Sequence, residues 1–363
     1  VEDVGVNTAF WTGRRVLVTG HTGFKGSWLC LWLRRLDAVV AGYALDPPTK
    51  PSLFDVARVA DGVESVRGDI GDVAALEALV RRTDPEIVVH MAAQSLVRES
   101  YRDPFETYRV NAMGTVAVLE ALRRVGGRRT VVVVTTDKCY ENLERSHGYR
   151  EDDRLGGRDP YSNSKACAEL AAQSYRDSFF PPADVARHGV GVATARAGNV
   201  VGGGDWAKDR LVPDIVAALA AGRAARIRSP DAHRPWQHVF DALHGYLVLA
   251  ERLHGAPAEF AEAWNFGPTE ADVLSVGAIA DEICRLWGGG AKWERDEGPR
   301  PHEAKRLQLD ATKSRARLAL PPTLDHRAAM QRTVEWYRRF HAGDDMRAFS
   351  LAQLDAFADR DAS

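Results

Sequence analysis

Cysteine is scarce and scattered. The four thiols, Cys30, Cys139, Cys167 and Cys284, share no C-x-x-C spacing, which argues against a disulfide framework and for reduced, mostly buried side chains. Also missing is any apolar run approaching the roughly 18 residues of a membrane span. The first residues include acidic side chains and no continuous apolar stretch, so no signal peptide is expected and the chain reads as cytoplasmic. Charge of one sign is lacking too. The 48 basic and 50 acidic residues leave a formal net charge of -2, so no global field recruits nucleic acid or an anionic membrane. There is no H-E-x-x-H, no paired Cys/His spacing and no Walker Gly-Lys-Ser/Thr ending, which removes a metal centre and a magnesium-triphosphate site from the expectations. No repeat at solenoid spacing occurs.

What is present begins at Arg15-Val16-Leu17-Val18-Thr19-Gly20-His21-Thr22-Gly23-Phe24-Lys25-Gly26. A β-branched run ends in G-x-x-G-x-x-G, and Ser27 to Leu33 continue as a buried helix. This is strand, tight turn and helix start, the arrangement that seats a pyrophosphate over free helix amides. Gly20, Thr22, Gly23, Phe24, Lys25 and Gly26 are therefore expected to bind a dinucleotide, with His21 filling the loop and facing it. A second strand, 38–43, leads to Asp46, twenty residues beyond Gly26, where a carboxylate accepts both ribose hydroxyls and repels a 2′-phosphate, favouring NAD over NADP. The alternative is that Asp46 only starts the turn before Pro47. After a third strand, 63–67, Asp69 and Ile70 are placed near the adenine, although Asp69 could equally cap the helix starting near Val73. A fourth strand, 87–90, runs into Ala92, Ala93 and Gln94, whose neighbourhood lets a coenzyme cross the strand end. A helix over 104–124 contains Asn111, and a fifth strand, 130–134, ends in Thr135-Thr136-Asp137-Lys138. The repeated alternation predicts an α/β, doubly wound Rossmann-type parallel sheet. A further helix (161–180) and strand (189–195) follow. Residues 1–199 are read as the nucleotide-binding domain with the catalytic residues. Residues 200–363 are read mainly as a smaller substrate-binding lobe, with some segments returning to the sheet. The segment 201–206 is expected to be a flexible loop, and the helix from His326 to give way to a looser end.

Tyr161 and Lys165 stand at i,i+4 on one helix face. A phenol near pKa 10 is a poor base at neutral pH, and a neighbouring ammonium together with a nicotinamide's positive charge lowers it. Such a pair removes a hydroxyl proton while hydride leaves the same carbon.

The five blocks Gly20–Trp28, Thr135–Asn142, Asp159–Lys165, Arg196–Trp206 and Arg234–His238, in this order, resemble the extended short-chain dehydrogenase/reductases (the NAD-dependent epimerase/dehydratase family), and within them the nucleotide-sugar 4,6-dehydratases that act on CDP-hexoses. The resemblance spans nearly the whole chain. It implies a tightly held NAD reduced and reoxidised within one turnover, a CDP-hexose substrate, a 4-keto-6-deoxy product, and a homodimer or dimer of dimers built through sheet-flanking helices. It implies that Tyr161, Lys165, Thr136, Asp137 and Lys138 are catalytic, with Thr136 orienting the sugar O4, Asp137 as the acid and Lys138 as the base of water loss. Relatives often carry Asp-Glu where this chain has Asp137-Lys138. Thr135, Tyr161 and Lys165 would also touch the coenzyme. Gln94, Ser95, Asn199, Asp205, Trp206, Arg210, Leu211, Val212, Arg234 and His302 would line the substrate site. A C4 epimerase of the same fold needs the Tyr-Lys pair but not the acid and base, so Asp137 and Lys138 favour dehydration.

Overall fold

The computed structural model describes residues 5–145, 147–269, 272–298, 307–320 and 324–359. The principal sheet has seven strands, all paired in parallel, in the order β10-β6-β5-β4-β1-β2-β3. Its members are β1 (Arg15–Thr19), β2 (Val39–Ala44), β3 (Val63–Arg67), β4 (Ile87–His90), β5 (Arg129–Val134), β6 (Val190–Ala197) and, from the second half of the chain, β10 (Ala263–Phe266). Strands β4, β5 and β6 are buried along their whole length, as expected of a sheet covered on both faces. Three strands run outward from β1 to β3, and the chain then returns to β4 beside β1. This reversal opens a crevice at the carboxyl ends of β1 and β4.

One face is covered by α1 (Phe24–Arg35), the other by α2 (Val73–Thr83), a helix over 104–125, labelled α3, and α4 (Pro160–Ser178). Helix α1 buries Trp28, Leu29, Cys30, Leu31, Trp32 and Leu33, each of the large side chains worth roughly 1.5–3 kcal/mol. It tolerates so apolar a surface because it lies between the sheet and later helices. In α3, five residues around Asn111 (Arg109–Met113) form a π turn, so the expected single helix is continuous but locally widened.

After β7 (Asn199–Val201) the chain forms α5 (Leu211–Ala220), β8 (Ala225–Ile227), β9 (His233–His238), α6 (Val239–Gly255), β11 (Val273–Ser275), α7 (Val276–Trp287), β12 (Trp293–Arg295), α8 (His326–Ala342) and α9 (Met346–Ala358). Strands β7, β9 and β11 make one small sheet, β8 and β12 another.

Two expectations are corrected here. The stretch 201–206 is not a flexible loop: Val201 to Asp205 are buried, and a Cβ on Gly203 would stand 2.0 Å from the Trp336 ring. Tyr337 Oη accepts from Asp205 N at 3.0 Å, and Trp206 packs on Trp336, Tyr337 and Phe340. Glycine-rich sequence here means close packing. Nor is the tail loose after α8. Asp345 caps α9 by accepting from Arg347 N and Ala348 N, Phe357 meets Trp32 edge-on at 5.8 Å, and Asp355 pairs with Arg35.

Candidate active site

The crevice deepens into a cleft of about 1890 Å³, lined by the glycine turn, the ends of β2 to β6, the start of α4 and residues from beyond 197. Gly20 has φ +77°, and a Cβ on it would stand 2.7 Å from Ala92 N. One on Gly26 would stand 2.2 Å from Gly20 O, so α1 starts directly against the turn. Its first turn has no side-chain cap, and Gly20, Thr22, Gly23, Phe24, Lys25 and Gly26 all line the cleft. Uncapped amides in a cradle that only glycine permits fit the pyrophosphate of a dinucleotide such as NAD. His21 is placed differently from expectation. It is fully buried behind the turn, Nε2 2.7 Å from Ser65 Oγ, its ring against Phe54; burial, aided by Arg67, lowers its pKa to about 4.

Asp46 lines the cleft, with Arg67 Nε donating to its Oδ1 at 2.9 Å. Asp69 also lines it, but its carboxylate is gripped at both oxygens by Arg109 at 2.8 Å, which holds it below the usual carboxylate range. The cap of α2 is Asp72, not Asp69. Ile70, Ala92, Ala93, Gln94 and Ser95 reach the cleft. Asn111 does not. Its amide is enclosed behind the strand end, accepting from Gln94 N and donating to Gln94 O and Ser164 Oγ at 2.9 Å each, so it shapes the wall without touching what lies in it. The Gln94 side chain is likewise tied to Leu96 and Thr107.

Thr135, Thr136, Lys138, Tyr161 and Lys165 meet in the cleft wall. Thr136 Oγ1 donates to Asp137 Oδ1 at 3.0 Å. Lys138 Nζ donates to the same oxygen at 3.1 Å and to Asn199 Oδ1 at 3.3 Å. Asp137 itself is fully buried behind Lys138, with Oδ2 unpartnered. Burial pushes the Tyr161 phenol up, against the opposing pull of Lys138, Thr136 and Arg210. Lys165 Nζ, one helical turn on, donates to Val134 O at 3.2 Å. Burial brings Lys165 down to about 8 and Lys25, which also faces Lys165 and Arg210, to about 7.

On the far wall, Arg210 donates to Asp205 Oδ2 and to Ser95 Oγ at 2.8 Å each, linking the two sides. Trp206, Leu211, Val212 and Arg234 line the same wall. Arg98 and Arg228 both reach Asp209 at the mouth. His302, with Pro301 and Glu303, lies outside the described residues. Arg67, Arg109 and Glu169 were not foreseen. The first two sit at a strand end and on a helix without a motif to mark them. Glu169 had a signal, its four-residue step from Lys165. Among the described residues no group of three or more His, Cys, Asp and Glu side chains is placed to hold a metal, and no helix is long and apolar enough to cross a membrane.

Fold and cleft together define a Rossmann-type enzyme whose cleft fits a dinucleotide such as NAD. The chain belongs to the GDP-mannose 4,6 dehydratase family, which matches residues 17–333. It is 50% identical over 352 residues to the CDP-glucose 4,6-dehydratase of Salmonella typhimurium strain LT2, covering 97% of this chain and 98% of the relative. It is 30% identical to the dTDP-glucose 4,6-dehydratase of Streptomyces antibioticus, over 89% of this chain and 92% of that one. Among solved structures, the Streptomyces venezuelae dTDP-glucose 4,6-dehydratase with NAD and TYD bound superposes with a TM-score of 0.75 at 25% identity, covering 91% of this chain and 98% of that chain. The UDP-glucose 4-epimerase of Thermotoga maritima shares the fold, with a TM-score of 0.76 at 21% identity over 90% and 99% of the two chains.

Proposed function

We propose that this enzyme converts CDP-D-glucose to CDP-4-dehydro-6-deoxy-D-glucose and water. The observation that carries the reaction type is the Asp137-Lys138 pair beside Tyr161, an acid and a base for water loss next to a redox pair. The nucleotide rests on the similarity to the Salmonella enzyme. Bound NAD supplies the hydride acceptor for C4 and the hydride donor for C6, so no external reductant is consumed. Its pyrophosphate would rest on Gly20 to Gly26 and its ribose on Asp46. Tyr161 takes the O4 proton, Thr136 orients O4, and Lys165 would hold the nicotinamide ribose. The C4 ketone acidifies the C5 proton. Lys138, which faces the cleft, removes that proton, and Asp137, behind it at 3.1 Å, supplies the acid equivalent for the C6 hydroxyl that leaves as water, passed across its contact with Lys138 Nζ. Arg210 and Arg234 meet the diphosphate, since planar guanidinium matches phosphate. Asn199, expected to line the substrate site, accepts from Lys138 Nζ at 3.3 Å.

Residues 1–199 form the coenzyme half and residues 200–363 mainly the substrate lobe of a cytoplasmic enzyme. Exposed Phe105, Met113 and Leu170, on packed helices α3 and α4, support a homodimer through these helices, or a dimer of dimers.

The deciding experiment supplies NAD with equal concentrations of CDP-glucose, dTDP-glucose, UDP-glucose and GDP-mannose and follows loss of one water by mass. Product from CDP-glucose alone is expected. Product from another sugar nucleotide overturns the substrate, and no water loss from any of them overturns the dehydration.

A further inference from the structure

The face of α4 that carries Tyr161 and Lys165 continues to Glu169, the next four-residue step. None of the chemistry above uses this carboxylate, yet it is almost wholly buried. Oε2 accepts from Thr194 Oγ1 at 2.7 Å and from Arg196 Nη2 at 2.8 Å, and Oε1 accepts from the Thr135 hydroxyl. One turn earlier, Lys165 donates to Val134 O. Neighbouring residues at the end of β5 are thus gripped by neighbouring turns of one helix, with β6 held by the same carboxylate. Arg196 is anchored in turn, Nη1 donating to Tyr140 Oη at 2.7 Å and to Glu151 O at 3.0 Å.

We propose that Glu169 is the positioning residue of the redox site, a buried counter-charge that acts through Lys165 and Thr135 to keep the lysine an ammonium and to fix the strand end presenting Thr136 and Asp137. This rests on the reading of Tyr161 and Lys165 as the redox pair.

The charges around Lys165 explain the need. Lys25 faces it from α1 and repels it. His90 faces it from β4, where burial holds the imidazole neutral, its pKa about 3. Cys139, after β5, is a thiol that burial keeps protonated. Glu169, on its own helix, is the anion in this set, and it opposes the burial that brings Lys165 to about 8. Although burial works against its own charge, Arg196 and the three side-chain hydrogen bonds keep the Glu169 carboxylate ionised, below its ordinary value.

The test is Glu169→Gln, which keeps hydrogen-bonding atoms and removes the charge. Two readouts are taken against pH: turnover with CDP-glucose by the NAD-loaded enzyme, and the Lys165 side-chain carbon resonance in coenzyme-free protein, assigned with Lys165→Arg. The alkaline limb of kcat and the Lys165 titration should both move down by about one pH unit, a loss of about twofold at pH 7 and about tenfold at pH 9, with KM within about twofold. Glu169→Asp should restore the limb. If both profiles superimpose on those of the wild type, Glu169 is only a structural clamp and the proposal is overturned. Should Glu169→Gln fail to fold because Arg196 is left unpaired, the double variant Glu169→Gln/Arg196→Met is read instead; a smaller shift in the same direction supports the proposal and none overturns it. Full turnover by Lys165→Met would sink the underlying redox reading while leaving the resonance result for Glu169 intact.

Discussion

His21 and His90 show how much single side chains decide. Both are buried and neutral, with pKa values of about 4 and about 3 against 6.5 in the unfolded chain. His90 is pinned by hydroxyls, Nδ1 2.7 Å from Thr19 Oγ1 and Nε2 3.2 Å from Thr115 Oγ1. Below pH 6.5 the unfolded chain binds protons that the folded one refuses, so stability falls with pH by about 1.4 kcal/mol per unit for each histidine, ending near each folded pKa. Urea midpoints at pH 7 and pH 5 should show this fall, and His21→Asn should remove its share. At the site, Tyr161→Phe should lower C4 oxidation by about 10²–10⁴-fold. Lys138→Ala should retain some oxidation, visible as reduced coenzyme in a single turnover, and lose release of water. Equal collapse of both steps in a folded Lys138→Ala protein would deny Lys138 a step-specific role. Tyr161 and Lys165 were legible in the sequence because a four-residue step on a helix is a geometric statement. That Lys138 and Arg210 also act on the phenol was not. Lys138 and Arg210 arrive from other elements, and only packing brings them near.

Among elements, the strands were the most legible. A β-branched run of four to six residues bounded by glycine or a charged turn has one reading in a doubly wound pattern, and β2, β3, β4 and β5 lie within a residue of where the sequence placed them. Segments whose conformation depends on distant partners were misread. The 201–206 stretch looks mobile by its glycines, yet Trp336 needs Gly203 to have no side chain, and Trp28 Nε1 donates to Gly203 O at 2.9 Å. Gly203→Ala should cost about 1–3 kcal/mol, read as a lower thermal midpoint. Gly26→Ala pushes a Cβ into Gly20 O and should both destabilise the fold by a similar ~1–3 kcal/mol and weaken NAD binding in a direct titration. An unchanged dissociation constant would show that the turn can shift to admit the methyl group. Helix α9 was missed because its apolar residues match the surface of α1, 300 residues earlier, which no local pattern reveals.

For the molecule as a whole, the apolar side chains left outside predict its assembly. Phe105→Arg with Leu170→Glu should turn the oligomer into a monomer in sedimentation velocity, with the far-ultraviolet spectrum unchanged; wild-type sedimentation would place the interface elsewhere. The principal sheet draws on both sides of residue 199. Strand β10, some 65 residues later, pairs with β6, and α9 closes over α1. During synthesis the chain up to residue 199 therefore has no finished form of its own. The apolar face of α1 waits for Phe357, and the sheet edge at β6 waits for Asn265 and Phe266 to leave the ribosome. A growing chain of this protein needs shielding until Phe357 has been made.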